Sequence, residues 1–60
     1  MMCEFTVFLE SEIVFREATY AKADANRVTV RDILGKSKTM ENSRIVEVDV
    51  ASERLVLKKA

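Results

Sequence analysis

The sequence predicts an all-β protein, a small SH3-like barrel of six or seven short strands. Three observations predict it. Apolar and polar residues alternate with period two along most of the chain. Turn-forming residues break that alternation at short intervals. No stretch holds a 3.6-residue apolar stripe for three helical turns. At 60 residues the chain makes one domain, 1–60, with no proline, linker, repeat or low-complexity segment.

The elements follow in order. In CEFTVFLE, Cys3, Phe5, Val7 and Leu9 fall on one strand face, and Glu4, Thr6, Phe8 and Glu10 on the other. Ser11-Glu12 reads as a turn and IVFRE as a returning strand. TYAKA is a third strand, poor in β-branched residues, closed by the turn chemistry of Asp24-Ala25-Asn26. RVTVRD is a clear fourth strand with Val28 and Val30 on one face. In DILGK, Asp32 is placed to start one short helical turn. Gly35, the only glycine, takes the position that needs a positive φ. KSKTM is a short polar strand and ENS a turn. SRIVEVDV and ERLVLKK form a last pair joined by Ala51-Ser52. Val46, Val48 and Val50 alternate while Ile45 has the opposite parity, which calls for a bulge or a strand buried on both faces.

A chain this short buries only about 60% of the surface its unfolded form exposes, so it needs a disulfide, a metal or a partner subunit. With one Cys and no His, an internal disulfide and a closed structural zinc site are both excluded. Oligomerisation remains, and a homodimer is expected because two-fold dimers are the commonest closed assemblies. Ten Lys and Arg balance ten Asp and Glu, so nothing advertises affinity for nucleic-acid phosphates. No apolar run spans a membrane, and Glu4 and Glu10 interrupt the first stretch, so neither a membrane segment nor a signal peptide is expected. The unpaired Cys fits the reducing cytoplasm.

Cys3 has two readings. It is a small buried hydrophobe in line with the core face, or it is a metal ligand. A thiolate beside an N-terminal amine chelates through two fused rings, here from the Met2 amine, the Cys3 amide nitrogen and the Cys3 sulfur if the chain starts at Met2. Such planar N,S donation suits Ni(II) or Cu(II). One chain offers one thiolate, and a two-fold dimer that joins both N-termini offers two. Nucleophilic catalysis by Cys3 lacks the histidine that would activate it, so no enzyme is expected. The carboxylate pairs Glu47 with Asp49 and Glu10 with Glu12 can serve acid–base work or hard cations, but read first as solvated strand faces, the former opposite Val46, Val48 and Val50. Arg31, Lys36 and Lys38 cluster around DILGKSK, where they can touch phosphate, but read first as protection of a sheet edge. Of the aromatics, Phe5 and Phe15 are assigned to the core. Phe8, on the outer face of its strand, is a dimer contact or a base-stacking platform.

The segments MCEFTVFLE, RVTVRDILGK and SRIVEVDVASERLVLKK together resemble the CooT family, very small nickel-binding accessory proteins named after a carbon monoxide dehydrogenase maturation factor. The family pattern is a Met-Cys start, a central V-x-V-x-D-Φ-Φ-G segment with Φ apolar, and a final I-x-x-V-D before the last strand. The matching residues here are Met2-Cys3, then Val28, Val30, Asp32, Ile33, Leu34 and Gly35, then Ile45, Val48 and Asp49. The resemblance implies a compact β homodimer that binds one Ni(II) between subunits through the N-terminal cysteines. It also implies carbon monoxide dehydrogenase as the nickel client. Of the matched positions only Cys3 carries over as a ligand, and Asp32, Gly35 and Asp49 are taken as structural. Met1 shifts the Cys from second to third, so the family site needs Met2 as the true start. The alternative is a small β-barrel that binds RNA, a label some relatives carry by analogy of fold.

Overall fold

The computed structural model describes residues 3–60. Seven strands run β1 Phe5–Leu9, β2 Glu12–Ala18, β3 Tyr20–Asp24, β4 Arg27–Arg31, β5 Ser37–Glu41, β6 Ser43–Asp49 and β7 Arg54–Lys59. They form a four-stranded sheet in the order β2-β1-β7-β6 and a three-stranded sheet in the order β3-β4-β5. The two sheets fold over one core as a barrel-like all-β unit, the class that the alternating pattern predicts. No helix forms among the described residues, and none is therefore long and apolar enough to cross a membrane.

Most neighbours are antiparallel, but β1 and β7 pair in parallel, Val7 opposite Leu55 and Leu9 opposite Leu57. This pairing joins the two ends of the chain at the centre of the larger sheet. Val7, Leu57, Val28 and Val30 are completely buried, and Phe15, Ala18, Met40 and Leu55 complete the core. Phe5 and Leu9 pack against it half-buried, as their parity with Val7 requires.

The corners are tight. Only Thr19 separates β2 from β3, and its amide donates to the Arg31 carbonyl at 2.9 Å. Only Asn42, at φ 51°, separates β5 from β6. Next to it Ser43 is buried, its Oγ donating to the Glu41 carbonyl at 2.8 Å and its amide to the Asn26 carbonyl at 2.8 Å. The hydroxyl and the amide of this buried serine are thus both bonded, which removes the desolvation cost of an unpaired donor.

Several expectations are corrected. The first strand starts at Phe5, so Cys3 lies outside it and is exposed rather than in line with the core. The first hairpin turns at Glu10-Ser11, both at positive φ, and Glu12 already belongs to β2. Asp32 starts no helical turn; its side chain accepts from backbone amides in an Asx-type loop instead. The expected bulge is present, since pairing with β7 shifts between Ile45 and Glu47. Val46, Val48 and Val50 are nevertheless exposed. Val48 sits opposite buried Leu55 and shares its face, but β6 is the edge strand and no described strand lies beyond it to cover that side chain. Gly35, at φ 91°, holds the positive-φ position assigned to it.

Candidate functional site

Cys3 enters the fold at one end of the larger sheet. Strand β1 is an inner strand, and its first residues are fixed on both sides. Phe5 pairs with Ala18, and the Thr6 amide donates to the Glu53 carbonyl at 2.9 Å. The chain leading to Cys3 is therefore anchored two residues away, while the thiol itself is free and exposed. Met2, the other residue assigned to the metal, lies outside the described residues. Among the described residues no group of three or more His, Cys, Asp or Glu side chains gathers to hold a metal ion. The side chains described in one chain thus supply a single thiolate donor, Cys3.

The other candidates resolve into structural roles. Asp49 Oδ1 accepts from the Ser52 amide at 3.2 Å and holds the β6–β7 turn. Hydrogen bonds from Ser52, backbone first, keep its carboxyl below the usual carboxylate range, with Arg54 assisting. Glu10 Oε2 accepts from the Lys59 amide at 2.9 Å and ties the first hairpin to the end of β7. Neither carboxylate pair converges on a site with Cys3 or with the other pair.

The basic cluster is spread along the β2–β5 seam. Lys38 Nζ donates to the Val14 carbonyl at 3.2 Å, occupying an acceptor on the open edge of β2, which is the edge protection expected of it. Lys36 reaches over the Phe15 ring at 5.7 Å, and Arg31 stacks on Tyr20 at 3.9 Å. Arg54 lies 5.1 Å from the half-buried Phe8 ring, so Phe8 and the exposed Tyr20 each already carry a cation on one face.

Two features escaped the sequence reading. The open seam between β3 and β6 is an apolar cleft of about 240 Å³ lined by Phe5, Ala18, Tyr20, Ile45, Val48 and Leu55. Ile33 and Leu34, which the helical-turn reading left without a role, stand at the tip of the β4–β5 loop, with Leu34 89% exposed. The signal for the cleft was the weak third strand: with alanines at 21 and 23, every residue of β3 is exposed.

The chain matches the protein family described as CO dehydrogenase accessory protein CooT over residues 2–58. No curated protein and no solved structure matches it. The family match takes in Cys3, the Asp32–Gly35 loop and the Asp49 turn alike. With the match covering nearly the whole of the chain, the protein belongs to the CooT family of CO dehydrogenase accessory proteins.

Proposed function

We propose that the protein is a non-enzymatic carrier of Ni(II) for carbon monoxide dehydrogenase, and that two copies share one ion through Cys3. The observation that carries this reading is the exposure of Cys3. As the only cysteine of the chain it contributes nothing to the core, and a thiol held outside an anchored strand is open to a metal and to a second subunit. With Met2 as the first residue, its amine, the Cys3 amide nitrogen and the Cys3 sulfur give each subunit planar N,S donors of the kind Ni(II) accepts in square-planar geometry. Loading releases protons, because the thiol, the protonated amine and the Cys3 amide must each give one up, so affinity rises with pH.

The β3–β6 cleft supports the dimer. Phe5, two residues from Cys3, lines it together with Ile45 and Val48, so a second copy seated there brings the two cysteines to the same interface. The reducing cytoplasm keeps such a thiol free.

The test is a nickel titration of untagged protein beginning at Met2, followed by absorption and by native mass. A thiolate-to-nickel charge-transfer band that saturates at one metal per two chains is expected, together with loss of the band in Cys3→Ser and an unchanged unfolding midpoint. Equal nickel affinity in Cys3→Ser refutes the proposal. An RNA pool that shifts at low salt in the absence of any nickel band would put the protein among RNA-binding barrels instead.

A further inference from the structure

The β4–β5 loop places two aliphatic side chains in water and holds them there. Four hydrogen bonds organise five residues. Asp32 Oδ1 accepts from the Leu34 amide at 3.0 Å and from the Lys36 amide at 2.9 Å. The Asp32 amide donates to the Lys36 carbonyl at 2.9 Å, and the Gly35 amide donates to the Asp32 carbonyl at 3.1 Å. The result is a rigid tip on which Ile33 is 62% and Leu34 89% exposed, the latter being the most exposed large hydrophobic side chain among the described residues. Folding gains nothing from this placement, since the apolar surface stays in water. Polar residues would close the same turn equally well.

The surroundings of the tip are charged. Arg31, Lys36 and Lys38 flank it with Asp32, and Arg16 and Glu17 line the same hollow as Lys36 and Lys38, a local excess of two positive charges in a chain that is neutral overall. The cations are not loose. Arg31 is stacked on Tyr20, Lys36 lies over Phe15 and Lys38 is bonded to Val14. A fixed apolar point inside a fixed basic collar is the arrangement of an interface anchor, in which a buried side chain supplies affinity and rim charges supply steering. Because the ordering is already present in the free protein, docking costs little further conformational entropy.

We propose that Ile33 and Leu34 form a docking knob that enters an apolar pocket rimmed by carboxylates on carbon monoxide dehydrogenase. The proposal rests on the accessory reading for its partner, but on the loop geometry for its site. Two side chains offer too small an apolar face to favour a lipid surface over a shaped protein pocket.

The test measures binding of purified carbon monoxide dehydrogenase to immobilised protein, with nickel titrations of the same samples. The double variant I33S/L34S keeps every loop hydrogen bond, since each uses backbone or Asp32 atoms. It should bind the enzyme at least about ten-fold more weakly, with nickel affinity and unfolding midpoint unchanged. Lys36→Glu should weaken binding at low salt, with the difference shrinking as salt rises. Unchanged affinity of I33S/L34S for the enzyme overturns the proposal, as does failure of the unsubstituted protein to bind the enzyme. Loss of binding to phosphatidylserine vesicles with no effect on the enzyme also overturns it, in favour of a membrane contact. The nickel titration separates the two readings. Enzyme binding that depends on the knob in a protein that takes no nickel removes the carrier role and leaves the docking site standing.

Discussion

Replacing Gly35 with Ala isolates a purely conformational cost. The residue sits at φ 91°, in the left-handed half of backbone space, and an added Cβ would meet nothing within 4 Å. Steric conflict with neighbours therefore contributes nothing, and the penalty is that of an L-residue at positive φ, about 1–2 kcal/mol. Against it stands the smaller conformational entropy of the unfolded Ala chain, worth about 0.4–1 kcal/mol. The expected net effect is a destabilisation of about 1 kcal/mol. A domain of this length is stable by roughly 3–9 kcal/mol at about 0.05–0.15 kcal/mol per residue, so the change is measurable. Urea unfolding at fixed protein concentration should show a lower midpoint with an unchanged slope, and heating a melting temperature lower by about 4–8 °C. Gly35→Asn should recover part of the loss, because Asn tolerates the left-handed region better. An Ala variant as stable as the parent would refute the reasoning. It would mean that the loop relaxes to another conformation at no cost, and the four hydrogen bonds around Asp32 would then not define it.

Two further outcomes follow from the packing and the electrostatics. Leu57 is completely buried between β1 and β6, so Leu57→Ala should cost about 2–5 kcal/mol, a large share of the stability of so short a domain, and should lower the unfolding midpoint steeply. A cooperative transition with the parent's midpoint would contradict this core assignment. The Asp49 carboxyl titrates below its ordinary value of 3.8, so its stabilising contribution is complete above that pH and is lost as pH falls through the lowered folded value. Asp49→Asn should thus be less stable than the parent at neutral pH, and the gap should close under strong acid. A gap that stays constant down to that range would separate the turn from the charge on Asp49.

The strands were legible because period two is a local property. RVTVRD placed Val28 and Val30 on one face, and both are completely buried. The parity break at Ile45 announced the bulge in β6. Gly35, as the one glycine, was assigned a positive φ and has it, but six other residues at positive φ, Glu10, Ser11, Glu17, Ala25, Asn42 and Glu53, carried no such mark. The Met-Cys start, the central loop segment and the final Val-Asp were enough to indicate the family that the match over residues 2–58 establishes. What alternation cannot say is whether a face is covered. Val46, Val48 and Val50 alternate as regularly as Val28 and Val30, yet they stay exposed: Val46 falls at the bulge, Val48 stands on an edge strand where β4 is not one, and Val50 lies in the turn beyond β6. The parallel pairing of β1 with β7 joins segments nearly fifty residues apart and leaves no mark in either segment alone. The exposure of Cys3 has the same origin. Its parity put it with Phe5 and Val7, but β1 takes up its partners only from Phe5 onward. Local sequence thus determined the strands and the identity of the one thiol, and placed most turns to within a residue or two while missing the form of the Asp32 loop. Burial depends on which distant strand arrives to cover a face, and so only the tertiary structure decided which residues were left at the surface to act.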